Sequence, residues 1–291
     1  MKEVLVVGDS ILDCYVFGDV SRVSPEAPVA VLDYTHRSEA LGGACNVACN
    51  IRSLLNESTD VSVSYAGYVD VAINDLLKLH SINTAYCEKI ESAEVLKKTR
   101  FVCSNQHMLR VDENKSYKKS LNFRNNLEHY IEDLKPDLII ISDYNKGTLT
   151  RGIWDTLLGC NVPCLIDLKR KYDFFKDFSF KNCTIKCNKK EFEDNSDIIH
   201  LDYKNLVVTL GNEGYEIFVK QGGSRVYPAH QVKNLKDVTG AGDSFLAGMA
   251  VEFIENEKAT IESMCEFANL AASEKVSNFG TTAVRRGSLN V

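Results

Sequence analysis

The sequence predicts an α/β fold: a mostly parallel central sheet with helices on both faces, plus a small β-sheet lid. Three observations predict it. Short runs such as 4–7 (VLVV) and 138–141 (LIII) are apolar throughout, as strands covered on both faces are. Segments with helical spacing separate these runs, the alternation of a βαβ architecture. The runs end at Asp9, Asp143, Asp167, Asn188 and Thr209, which places five polar groups on one rim, where such sheets bind ligands. A rim of Asp and Asn suits sugar hydroxyls and a magnesium-bound phosphate better than a redox cofactor.

The first strand spans 4–7 and stops at Gly8-Asp9. Residues 43–55 (GACNVACNIRSLL) put Ala44, Val47, Ala48, Ile51, Leu54 and Leu55 on one helical stripe. A strand at 61–65 and a helix at 72–79 follow. Lys135-Pro136 closes a helix ahead of the strand at 137–143, because the residue before proline is biased away from helix. A helix at 150–158, a strand at 163–167, a strand at 183–188 with a short helix from Lys189, and a strand at 206–209 continue the alternation. Strands at 215–219 and 225–227 flank Gln221-Gly222-Gly223, a hairpin signal. Two helices, 241–255 and 261–275, end the pattern.

Two regions break the alternation. Residues 30–34 (AVLDY), 96–102 (LKKTRFV) and 108–111 (MLRV) have period-two polarity. They predict a half-exposed sheet over the rim, with lid strands within about 15–36 and 94–112. No long linker divides the chain, so 1–291 is expected to be one domain.

The 291 residues carry 34 Lys+Arg against 40 Asp+Glu, a net charge of −6. That balance argues against nucleic acid as partner. The N-terminal apolar run is too short for a signal peptide, and no apolar run reaches the length of a membrane span. A cytoplasmic protein without membrane contact is expected. The ten cysteines form no Cys-x-x-Cys pair and read as small apolar residues in a reducing compartment.

Residues 237–245 (DVTGAGDSF) open the helix at 241. Glycines at a helix start let an anion approach free N–H groups on the positive end of the dipole. Asp243 follows the glycines, within the first turn, instead of preceding them as a cap. It is therefore the candidate general base beside a transferring phosphoryl group. There is no G-x-x-x-x-G-K-[ST], no G-x-G-x-x-G after the first strand and no G-x-S-x-G.

With 237–245, 41–48 (LGGACNVA) and Asn188-Lys189-Lys190-Glu191, the chain resembles the ribokinase-like (PfkB) carbohydrate kinases over nearly its whole length. The runs 21–29 (SRVSPEAPV), 104–112 (SNQHMLRVD) and 142–147 (SDYNKG) are most similar to the D-glycero-β-D-manno-heptose-7-phosphate kinases of that family. The resemblance implies transfer of the ATP γ-phosphate to the anomeric hydroxyl of heptose 7-phosphate, for ADP-heptose or lipopolysaccharide-core synthesis. It implies that Asp243 is the base and that Gly240, Ala241 and Gly242 form the anion hole. Asn188, Lys189, Lys190, Glu191, Thr209, Gly211 and Asn269 would bind ATP, with Asn188 and Glu191 reaching Mg²⁺ through water. Asp13, Gly42, Gly43 and Asn46 would hold sugar hydroxyls, with Asp143 in the same substrate-binding set. Arg100, Arg110 and Lys146 would meet the substrate's own phosphate. A monovalent cation near Asp237 and Thr239 and a homodimer through the lid strands also follow from the resemblance.

Leu168 and Cys187 stand where relatives carry proline, which is expected to loosen the turn near the nucleotide. Some heptose kinases continue into a nucleotidyltransferase; this chain is expected to lack that activity. Other readings are a kinase for a different sugar, a non-catalytic sugar-phosphate-binding module, and a nicotinamide-dependent oxidoreductase, the last disfavoured by the missing glycine fingerprint.

Overall fold

The computed structural model describes all residues except 92–93, 105, 114–120, 220–222, 233 and 290–291. In chain order the elements are β1 (Lys2–Gly8), β2 (Ser10–Val23), β3 (Ala30–Gly43), α1 (Ala44–Leu54), β4 (Val61–Ala66), β5 (Tyr68–Val69), α2 (Val71–Leu79), β6 (Glu88–Lys89), β7 (Lys97–Cys103), β8 (Gln106–Glu113), α3 (Leu121–Leu134), β9 (Leu138–Ser142), α4 (Arg151–Gly159), β10 (Cys164–Asp167), α5 (Tyr172–Phe175), β11 (Phe180–Asn188), α6 (Lys189–Glu193), β12 (Tyr203–Thr209), β13 (Tyr215–Val219), β14 (Gly223–Tyr227), α7 (Ala241–Glu255) and α8 (Ile261–Lys275).

The central sheet has eight strands in the order β14-β13-β12-β11-β10-β9-β1-β4. All neighbours are parallel except β12–β13 and β13–β14. Side chains alternate across a strand, and the apolar runs feed two cores. Val4, Val6, Leu138 and Ile140 pack with α1, α2, α7 and α8. Leu5, Val7, Ile139 and Ile141 pack with α3, α4 and α5. This is why the strands read as unbroken apolar runs: neither face meets water. The hairpin strands β13 and β14 form as expected, while its turn residues Gln221 and Gly222 lie outside the described residues.

α7 is buried almost all round, from Ser244 through Val251. Its neighbour α8 approaches so closely that a Cβ at Gly248 would lie 2.6 Å from Ala268 Cα. Glycine is therefore required where these helices cross. The start of α7 is thereby fixed against the rim of the sheet.

A second sheet has the order β3-β2-β7-β8. The sequence predicted its outer strands only in part. β2 and β3 pair from Ser10↔Gly43 to Val23↔Ala30, far longer than the 30–34 run, and β2 pairs with β7 in parallel. These arms begin buried beside the central sheet and end exposed. Neither the alternating nor the all-apolar pattern therefore holds along them. Helix α1 starts at Ala44, the first residue of its apolar stripe, with Gly43 as N-cap. Among the described residues, no helix is long and apolar enough to cross a membrane.

Candidate active site

Asp243 lies in the first turn of α7, 7% exposed. Gly240 caps that helix at φ 81°, a left-handed conformation that favours glycine. The Ala241 N–H closes the turn on Val238 O at 3.2 Å, and Ser244 N–H makes the first intrahelical bond, to Gly240 O at 2.9 Å. The Ala241 amide closes the turn, and the first-turn amides of Gly242 and Asp243 precede the helical hydrogen-bond ladder and form the positive end of the dipole.

Both oxygens of Asp243 are held. Asn46 Nδ2 donates to Oδ2 at 2.7 Å and Tyr144 Oη donates to Oδ1 at 2.6 Å. Asn50 Nδ2 in turn donates to Asn46 Oδ1 at 2.9 Å, one helical turn along α1. Burial raises the Asp243 carboxyl above the ordinary aspartate range, against the charge of Lys169 and the bonds from Tyr144 and Asn46. A raised carboxyl is a stronger base once ionised, which suits proton abstraction.

Two lysines stand beside it. Lys169 Nζ lies 3.8 Å from the centre of the Tyr144 ring and 3.5 Å from Asp167 Oδ2. Lys186 Nζ lies 3.1 Å from Asp167 Oδ1. A Cβ at Gly242 would sit 3.0 Å from that same Lys186 ammonium, so the cation presses on the helix start. Burial disfavours charge on Asp167, but Lys169 and Lys186 outweigh it and hold the carboxyl below its usual value. Burial likewise acts against charge on Lys169, and the carboxylates of Asp167, Asp243 and Glu191 keep it a cation.

A cavity of about 550 Å³ collects these groups. Tyr144, Asp167, Lys169 and Lys186 line it with the sequence-predicted Asn188, Lys189, Lys190, Thr209, Gly211, Gly240, Gly242 and Asp243. Asn188 and Glu191 form a reciprocal capping box on α6: Glu191 N–H donates to Asn188 Oδ1 and Asn188 N–H to Glu191 Oε2, each at 2.8 Å. Lys189 Nζ pairs with Glu213 at 3.1 Å. Asn269 does not reach the cavity lining; it is buried and donates to Pro228 O at 2.9 Å.

At the other end of the rim the polar groups are bonded within the protein. Asp9 accepts the N–H groups of Tyr144, Lys146 and Thr148 at 2.9–3.0 Å, so it shapes the loop that delivers Tyr144. Asp143, assigned above to substrate, is fully buried and bound by Arg170. Arg100, assigned to the substrate phosphate, is 5% exposed and paired with Asp13, which leaves neither as a free solvent-facing group. Gly42 packs against that Asp13 carboxylate, and Gly43 leads into α1. Arg110 sits across from Arg100 in the β7–β8 register and pairs with Asp112 at 2.8 Å. The turn near Leu168 is closed where a looser one was expected: Leu168 N–H donates to Lys186 O at 3.1 Å, a bond proline could not make.

Sequence reasoning did not give Tyr144, Lys169 and Lys186 a role. Lys186 was findable: it lies two residues before Asn188 on β11, hence on the same face. Lys98, 5.5 Å from the Tyr144 ring, is a further cation at this edge.

Residues 184–286 match the family described as pfkB family carbohydrate kinase. The bifunctional protein HldE of Nitratiruptor sp. is 32% identical over 296 residues, covering 95% of this chain and 62% of that protein. HldE of Helicobacter pylori is 34% identical over 316 residues, covering 97% and 64%. The chain thus spans roughly three fifths of the length of these relatives. Among solved structures, Arabidopsis thaliana ribokinase complexed with ribose and ATP has a TM-score of 0.72 at 18% identity, covering 99% of this chain and 97% of its own. Ribokinase from Cryptococcus neoformans in complex with ADP has 0.68 at 15%, covering 99% and 97%. These two likenesses show a ribokinase-like fold.

Proposed function

We propose that this chain, whose residues 184–286 match the pfkB carbohydrate kinase family, transfers the ATP γ-phosphoryl group to the anomeric hydroxyl of D-glycero-D-manno-heptose 7-phosphate. The product would be the 1,7-bisphosphate, a precursor for ADP-heptose and the lipopolysaccharide core. One observation carries the kinase chemistry: Asp243 lines a cavity at a helix start, with Lys169 and Lys186 beside it. The heptose assignment rests on the sequence runs at 21–29, 104–112 and 142–147 and on the similarity to HldE proteins.

In this mechanism Asp243 takes the proton of the attacking hydroxyl, which displaces Tyr144 from one carboxylate oxygen, while Asn46 keeps the other in place. The amides of Gly242 and Asp243, with Lys169 and Lys186, meet the charge on the migrating phosphoryl group. Asn188, Lys190, Thr209 and Gly211 border the nucleotide. Arg110, Lys146 and Lys98 are the cations we assign to the substrate's second phosphate.

Among the described residues, no cluster of three or more His, Cys, Asp or Glu could hold a metal alone. Glu191 Oε2 is tied to the Asn188 amide, which leaves Oε1, 4.0 Å from Lys169 Nζ. That donor set fits an Mg²⁺ carried mainly by ATP and reached by Glu191 through water. When bound, Mg²⁺ would neutralise phosphate-oxygen charge.

The lid strands expose Val23, Tyr34, Met108, Leu109 and Val111, and Val29 is exposed in the connection between β2 and β3. Exposed apolar side chains on so small a sheet support a homodimer through the lid.

A panel of sugars assayed by ATP consumption tests the substrate. Heptose 7-phosphate should give the highest kcat/KM. Faster turnover of an unphosphorylated ketose or a nucleoside would replace the substrate while leaving the kinase reading intact.

A further inference from the structure

The resemblance would place a monovalent cation near Asp237 and Thr239. The residues there do not fit one. Such an ion needs a shell of carbonyl and carboxylate oxygens in place of its water. Asp237 Oδ1 already accepts the N–H and hydroxyl of Thr239, at 2.9 and 2.7 Å, and Oδ2 accepts Gly280 N–H at 3.0 Å. Val276 O accepts two amides, from Lys236 at 2.8 Å and Asp237 at 3.3 Å. Gly280 O accepts Thr282 N–H at 3.0 Å and also the ammonium of Lys275.

Lys275, the last residue of α8, is fully buried. A buried ammonium needs a countercharge. Burial works to discharge this one, and the carboxylates of Asp237 and Asp243 oppose that. Its Cε lies 3.4 Å from where a Cβ on Gly240 would stand. The ammonium is therefore behind the anion turn of 237–240 and fastened to the loop that holds Asp237.

We propose that Lys275 is this chain's built-in cation: a positioning residue whose ammonium braces the 237–240 turn against the 276–280 loop, so that the protein needs no added monovalent ion. The inference deepens the kinase reading at the same site, and its first test does not depend on which sugar is phosphorylated.

The first measurement is the melting temperature of the whole chain in potassium, sodium and tetramethylammonium chloride at equal ionic strength, with and without Mg·ADP. A bound ion would raise Tm with its concentration. The expected result is one Tm across the three salts in each nucleotide state. A Tm that climbs with potassium but not with tetramethylammonium overturns the proposal.

The second is steady-state kinetics. Wild-type kcat should agree across the salts to within about twofold, whereas an ion acting by occupancy would give a saturating activation. Lys275→Met keeps the stem and removes the charge. It should lower kcat roughly tenfold to a hundredfold, the scale of a lost charge-assisted bond, with the sugar KM little changed. Wild-type kcat in Lys275→Met, at an unchanged Tm, also overturns the proposal. Should that variant fail to fold, the wild-type salt series decides alone.

Discussion

The two sheets of this protein face different solvents and carry different kinds of information. The central sheet is covered on both sides, and its rim at β10, β11 and β12 gathers Asp167, Lys186, Asn188 and Thr209 around the start of α7. Here Asp167 and Lys186 are buried and paired with each other, while Asn188 reaches the surface of the cavity. The outer strands of the lid sheet are exposed and carry large apolar residues, and several of its charges pair at the surface, as Arg22 does with Asp33 and Arg110 with Asp112. Surface pairs contribute little to stability, whereas buried charges are costly to unpair. Chemistry should therefore be sensitive at the rim and tolerant at the lid, and association should show the reverse.

The largest effect is expected at the rim. Asp243→Asn should lower kcat by ~10²–10⁴-fold, the typical share of a general base, while calorimetry still detects Mg·ATP binding. Near-normal turnover in that variant would remove Asp243 as the base. Next comes Lys169→Met, which removes a cation aimed at developing charge. A loss of about 10²–10³-fold in kcat is the scale of such a donor, and an equal loss from a lid lysine would erase the contrast between the sheets.

Tyr144 joins the two regions, since its hydroxyl bonds Asp243 and its ring lies near Lys98 of the lid. Burial already raises the Asp243 carboxyl and the Tyr144 bond lowers it. Tyr144→Phe should therefore raise it further. The base would then lose its ionised form at a higher pH, and the acid limb of the kcat/KM profile should move up, with roughly tenfold or less lost at the plateau. An acid limb that stays put or moves down would detach Tyr144 from the base. The smallest catalytic effect belongs to the lid face. Leu109→Glu should convert a dimer to a monomer in light scattering at micromolar concentration, with kcat within about threefold of wild type because it touches no reacting group. A wild-type chain that is already monomeric would leave the exposed apolar strands without this partner.

The central strands were legible because burial on both faces leaves an apolar run that needs no knowledge of neighbours. Both long C-terminal helices were legible too, with the bounds 241–255 and 261–275 that the structure has. The arms β2 and β3 were not, since they cross from core to solvent midway and so keep neither pattern. Asp243 could be singled out because its motif is contiguous. The partners of Asp143 and Arg100 could not be read by type alone: an acid at a strand end and an arginine on a lid strand do not record that they pair with Arg170 and Asp13.

The sequence by itself thus determined the layers, the helix start that can hold an anion, and the carboxylate in its first turn, since each depends on residues close along the chain. Only the tertiary structure decided which polar groups share the cavity. Lys169, Lys186, Tyr144 and Asn46 reach Asp243 or its neighbours from separate elements, and Lys275 reaches the anion turn from the far end of α8. Pairings of that kind depend on how the strands register and how the helices cross, which no local pattern records.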